Sequence, residues 1–211
     1  LRFDPLGLKA KMLSKASGNG LQLTRWEMSC GKTWKIPAIV VQSNNKPTAT
    51  QLWIADAGID SQLKQIRAAA KKGNRVICVD LTLFGRAKPV GSLYQNAQLI
   101  STVGKRPLGV QTSQLLAVSE FFAKKYGKLT IHSDGPRSSL AALCAAALDG
   151  RKSIAAVKTQ RMPASLKTFV EPVRSYNNTP EIYCFGLLKY FDLPQLKALA
   201  DIDAAGTPTA R

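Results

Sequence analysis

The sequence predicts an α/β fold: a doubly wound, mostly parallel sheet led by an antiparallel N-terminal hairpin. Three observations carry this expectation. Strand-like and helix-like segments alternate from Thr50 onward. The stretch RVICVDL (75–81) is apolar almost without interruption, as in strands buried on both faces of a parallel sheet. Residues 21–43, LQLTRWEMSCGKTWKIPAIVVQS, alternate around a Cys-Gly-Lys turn, as an antiparallel hairpin does.

The elements follow in order. Residues 1–20 are expected to be irregular, with SGNG before the first strand. After the hairpin, TQLWIADAG (50–58) reads as a short apolar strand ending in small residues. SQLKQIRAAAKKG places Leu63, Ile66, Ala69 and Ala70 at helical spacing and stops at Gly73. The RVICVDL strand leads into a loop from Thr82 to Ser92. An amphipathic helix is predicted over VQTSQLLAVSEFFAKKYG (110–127). KLTIHS and SSLAALCAAALDG form the next strand and helix, and SIAAVKT another strand. The region from Pro163 to Pro180 reads as loop with one helical turn, and EIYCFGLL (181–188) as a strand or a loop into a helix. LPQLKALAD is a short helix with proline in its first turn. The tail, residues 203–211, is expected to be irregular, within a single domain spanning 1–211.

Composition narrows the function classes. A chain of 211 residues with 45% hydrophobic residues can bury about 70% of its unfolded surface as one domain. No apolar run approaches the roughly 20 residues of a membrane-spanning helix. None of the four cysteines (Cys30, Cys78, Cys144, Cys184) makes a C-x-x-C pair, so zinc and thioredoxin-like chemistry are not indicated, and no metal or cofactor is expected. Buried free thiols are expected at Cys78 and Cys144. The formal charge of +17, from 30 Lys+Arg against 13 Asp+Glu, suits a polyanion partner. It also suits a solvated basic surface, since several Lys pairs sit at predicted helix ends.

The most informative stretch is TIHSDGPRSSLAALCAAAL (130–148): a strand, a sharp turn and an alanine-rich helix. That is the form of a nucleophile elbow, and HSDG lies inside the G-H-S-D-G version of that motif. Two registers compete. In one, Ser133 is the nucleophile and Ile131 takes the place of the first glycine. In the other, Pro136 stands at the nucleophile position, and Ser138, Ser139, Ala142 and Ala146 fall where the helix must pack closely. The helix spacing fits the second register better.

The chain holds a single histidine, His132. In a triad of this kind the histidine follows the serine and the acid in the chain. His132 instead precedes Ser133, on the opposite face of its strand. A standard Ser-His-Asp triad within this chain is therefore excluded. Lys158 and Lys189 are nameable as alternative bases, without support from spacing. Asp80 is the best-placed carboxylate, at a strand end where parallel sheets line ligand crevices. Pinning the loop that follows is its simpler role.

These residues resemble a family. The order of elements is similar to the α/β-hydrolase domains related to acetyl xylan esterases, in particular divergent bacterial carbohydrate esterases. WEMSCGKTWKIPAIVVQSNNKP resembles their opening hairpin. GNRVICVDLTLFG resembles their strand and D-x-x-G-x-G loop, with Leu83 at a usual glycine. GKRPLGVQTSQLLAVSEFF is similar to their G-R-P-L-x-G lead into a helix, and GLLKYFDLPQL to their F-D-L-P segment. The similarity covers residues 22–200. It implies an α/β-hydrolase-like fold and, where active, carboxylic ester hydrolysis on acylated carbohydrate. In that reading Ser133 attacks the acyl carbon, and backbone N–H groups near Gly58 and Asp134 hold the oxyanion.

The departures from the family all touch the chemistry. IADAGID (54–60) keeps only Gly58 of the His-Gly-Gly oxyanion loop. Asp192 matches the F-D-L-P aspartate, with capping of the helix at Leu193 as its expected role. The relatives continue past this segment into a strand and helix that carry the histidine, so the chain is expected to be C-terminally truncated relative to the family. The reading that follows is a non-catalytic α/β-hydrolase-like domain, an accessory or assembly module of a carbohydrate-active protein. An active esterase using Ser133 and a basic polyanion-binding protein are the alternatives. The resemblance implies a secreted or periplasmic setting, with polysaccharide or another protein chain as partner. Trp26, Trp34, Trp53, Tyr94 and Tyr190 can stack on sugars or simply pack. Asn177-Asn178-Thr179 fits a glycosylation sequon.

Overall fold

A seven-stranded mixed sheet organises the chain, in the order β1-β2-β3-β5-β4-β6-β7. The computed structural model describes residues 5–150, 152–171 and 176–200. Strands β1 (Leu8–Gly18), β2 (Leu21–Cys30) and β3 (Trp34–Ser43) pair antiparallel, and β3 pairs antiparallel with β5 (Asn74–Val79). Strands β5, β4 (Ala49–Ala55), β6 (Leu129–Asp134) and β7 (Ile154–Gln160) run parallel.

Period-two alternation sends successive side chains to opposite faces. In β5, Ile77 and Val79 enter the larger core, while Val76 and Cys78 enter the smaller one. The larger core is closed by α3 (Pro107–Tyr126) and α4 (Pro136–Asp149), through Leu115, Val118, Phe122 and Leu140 among others. The smaller core is closed by α1 (Leu63–Lys71), through Ile66 and Ala70. Helices on both faces make the sheet doubly wound, as the alternation of segments predicts.

Several elements depart from the sequence expectations. Residues 8–18 are not irregular but form β1, which lies against the open edge of β2. This strand is exposed along nearly its whole length, so it carries no buried-face pattern to read. A helix absent from the sequence reading, α2 (Leu93–Thr102), follows the 82–92 loop. Helix α3 begins at Pro107 and is buried around most of its circumference rather than amphipathic. Two of its buried hydroxyls are satisfied locally: Thr112 Oγ1 donates to the Leu108 carbonyl at 2.7 Å, and Ser113 Oγ to that of Gly109 at 2.8 Å. Of the two readings of 181–188 the loop into a helix holds: turns lead into α6 (Leu187–Tyr190). One turn of helix, α5 (Lys167–Val170), interrupts the loop before it, and α7 (Leu193–Leu199) ends the described chain. The predicted irregular tail, 203–211, lies outside the described residues.

All four cysteines are free. Burial pushes the thiols of Cys30 and Cys144 up to about 12. Among the described residues, no helix is long and apolar enough to cross a membrane.

Candidate functional site

The chain leaves β4 toward β5 on one side and returns to β6 on the other. This reversal opens a crevice at the strand C-termini, where doubly wound sheets bind ligands. The C-terminal ends of β4, β5 and β6 meet there, and each brings an aspartate: Asp56 and Asp80 just beyond their strands, and Asp134 as the last residue of β6.

Asp80 lies just beyond β5 and is completely buried. Its carboxylate accepts from the backbone N–H of Ile59 at 2.8 Å and of Arg86 at 2.9 Å, so it clasps two loops together. Burial holds its pKa above the ordinary carboxylate value, and the two N–H bonds oppose the shift. The clasp is tight enough to require glycine. A Cβ on Gly58 would lie 2.3 Å from the Gly85 Cα, and one on Gly85 would lie 2.5 Å from Asp80 Oδ2. Leu83 has φ 73, in the left-handed region that favours glycine.

The strand-to-helix turn after β6 belongs to Gly135. Its φ of 107 and ψ of 159 are open to glycine but not to a side chain, and Pro136 begins α4. Neither competing register places this residue at the turn: Ser133 is two positions earlier and Pro136 one later. A Cβ on Gly135 would lie 2.4 Å from Asp56 Cγ. The Asp56 carboxylate therefore occupies the space that any side chain at this position would enter. From there it accepts from the N–H of Arg137 at 3.1 Å and of Ser138 at 2.7 Å, at the electropositive start of α4. Burial raises its pKa, against the lowering effect of these bonds.

Ser133 lies inside β6, facing α4, and is 2% exposed. Its Oγ is 3.0 Å from Ser139 Oγ and donates weakly to the Lys158 carbonyl at 3.4 Å. His132 faces the other side of the sheet and stacks on Trp53, with centroids 5.0 Å apart. Its Nε2 is buried with no hydrogen-bond partner among the described residues. Burial, aided by the nearby Lys158 charge, lowers its pKa to about 4. Ser133 and His132 are thus separated by the sheet. The Gly58 N–H donates to the Ala55 carbonyl at 2.9 Å. Asp134 accepts from Gln62 Nε2 at 3.0 Å and Arg161 Nε at 2.6 Å, and its carbonyl accepts from the Asp56 N–H at 3.0 Å.

One feature had no sequence signal. Arg137, in the first turn of α4, forms a buried two-point ion pair with Glu181 at 2.7 and 2.5 Å. It also donates to the Leu83 carbonyl at 3.2 Å and lies over the Phe84 ring. Gln111 Nε2 joins Glu181 Oε1 to the Thr82 carbonyl. The two charges are 44 residues apart in sequence, so no local pattern reveals them. Asp192 forms a capping box with Gln195 at the start of α7. Partial burial raises the Asp192 pKa, but bonds from Ser165, Leu166 and Leu193 outweigh this and hold it below the ordinary value. Among the described residues, no group of three His, Cys, Asp or Glu side chains could hold a metal ion.

By sequence the chain matches no family model and no curated protein. Its backbone resembles solved esterases. A Bacteroides fragilis protein described as an acetyl xylan esterase superposes with a TM-score of 0.61 at 17% identity, over 72% of this chain and 48% of the other. For the acetyl xylan esterase from Paenibacillus sp. R4 the values are 0.58 and 13%, over 93% of this chain and 67% of the other. A cold-adapted esterase from an Arctic intertidal metagenomic library gives 0.54 and 13%, over 72% and 65%. The chain spans about half the length of the first relative and about two thirds of the other two. The shared property at these identities is the fold, an α/β-hydrolase fold.

Proposed function

We propose that this chain is a non-catalytic α/β-hydrolase-like domain, an accessory or assembly module of a carbohydrate-active protein. One observation carries the reading. The turn that presents the nucleophile in this fold holds Gly135, and the Asp56 carboxylate fills the space beside it. Two further features agree. With Gly135 at the nucleophile's place, the next residue should supply an oxyanion N–H, but it is Pro136, which has none. The N–H groups of Arg137 and Ser138 are already engaged by Asp56, whose negative charge would repel a developing oxyanion.

Ester hydrolysis through Ser133, with Gly58 and Asp134 as oxyanion donors, is the competing reading. The burial of Ser133, its Ser139 partner and the internal bond of the Gly58 N–H all weigh against it. The test is labelling with a fluorophosphonate serine-hydrolase probe, comparing the folded chain with Ser133→Ala. No labelling of either is expected. Labelling that disappears in Ser133→Ala would establish an activated serine and overturn the proposal.

A further inference from the structure

A second groove lies at the other end of the strands from the crevice, beside the start of β5, where the β1–β2 ribbon overhangs the end of α3. It encloses about 470 Å³ and is lined by Lys15, Gln22, Trp26, Gln42, Lys125 and Tyr126, among others. Its charge is one-sided. The only carboxylate in the sequence between Pro5 and Ala55 is Glu27, which pairs with Lys35 at 3.4 Å.

The cations at the groove meet aromatic rings rather than carboxylates. The Arg75 guanidinium lies 3.7 Å from the Tyr126 centroid, and its Nε donates to Gln42 Oε1 at 2.8 Å. The Lys125 ammonium lies 5.2 Å from the Trp26 ring and 5.3 Å from that of Tyr126. Among the described residues, Lys15, Arg75 and Lys125 have no ion pair. Their full charge therefore remains available to a ligand, and ring contacts hold two of them in place.

From these features we infer that the groove binds an acidic polysaccharide. Single-stranded nucleic acid fits less well, because its sequence-tolerant affinity comes from bases stacked on open aromatic faces. Here Tyr126 carries Arg75 and stacks on Phe122, and Trp26 packs edge-on against Phe121 and Phe122 beneath Lys125. The remaining lining offers the side-chain amides of Gln22 and Gln42, which both donate and accept, as sugar hydroxyls do. The lysines supply the charge that recognises carboxylate or sulfate. This site is independent of the crevice and of whether the crevice is catalytic.

The experiment measures binding of the full chain to polygalacturonate, to heparin and to an oligothymidylate. It compares Lys15→Ala/Lys125→Ala with a control of equal charge change on α1, Lys64→Ala/Lys71→Ala. All four lysines are exposed, so unfolding midpoints should shift only slightly, by no more than the loss of the ring contacts of Lys125. Salt-sensitive binding of at least one polysaccharide is expected; the two polymers separate carboxylate from sulfate recognition. The groove variant should lose about tenfold in affinity at low salt, and the control less than about twofold. Equal losses in both variants, no polysaccharide binding, or tighter binding of the oligothymidylate through the same lysines would each overturn the inference.

Discussion

Asp56 and Gly135 share one space: a Cβ on Gly135 would lie between 2.4 and 2.7 Å from the three carboxyl atoms of Asp56. Installing a serine at the turn therefore requires both an unfavourable φ and removal of the carboxylate. Gly135→Ser should destabilise the chain by about 3 kcal/mol without creating reactivity toward a serine probe. Asp56→Gly in the same background should recover part of that loss. A double-mutant cycle in urea reads the coupling, and strictly additive effects would disprove the contact.

The buried Arg137–Glu181 pair makes an asymmetric prediction. Removing one partner strands a charge, whereas replacing both removes the need for one. Arg137→Met should cost about 3–5 kcal/mol, and Arg137→Met/Glu181→Leu distinctly less. Denaturant midpoints of the two variants decide the matter.

His132 is the only histidine, so its imidazole proton signals are unambiguous in NMR. They should titrate near 4 rather than at the ordinary value of about 6.5. A depressed folded pKa means that the unfolded chain binds the proton more readily. His132 therefore adds stability that is fully present above about pH 6.5 and is lost as pH falls toward 4. His132→Phe should flatten this part of the stability profile, measured as urea midpoints at pH 7 and 4.5.

Asp192 anchors α7 to the start of α5: it accepts from the Leu193 and Leu166 N–H groups, each at 2.7 Å, and from Ser165 Oγ. Asp192→Ala should cost about 1–2 kcal/mol, more than an isolated cap in a peptide, because it also releases Leu166. Hydrogen exchange should rise at Leu166 and Leu193 together. A change confined to α7 would show that the aspartate acts as a cap alone.

The hairpin and helix α1 are legible from the period of the face each buries, and β5, α3 and α4 from long runs of small or apolar residues that are buried nearly all round. Strand β1 is not: it lies along the edge of β2 with almost all its side chains in solvent, so no hydrophobic period marks it. Helix α2 buries only Ala97 and Ile100, too little to stand out from a loop. At the candidate site the histidine argument could be made from sequence alone, since one histidine before the serine excludes a standard triad. The turn residue itself is not legible: the two registers that the sequence allows centre on Ser133 and Pro136, whereas the ladder of β6 with β4 and β7 and the start of α4 leave Gly135 between strand and helix.

The sequence by itself determined the alternating doubly wound sheet, the place of its single histidine directly before Ser133 and the basic balance of the chain. These follow from periodicity and composition, which are local or global sums. Tertiary structure alone decided that Asp56 fills the turn, that Arg137 finds Glu181, and that Lys125 and Arg75 rest on aromatic rings. Each of these joins residues brought together by strand order and helix packing, and their chemistry depends on separations of a few ångströms that no spacing in the chain encodes.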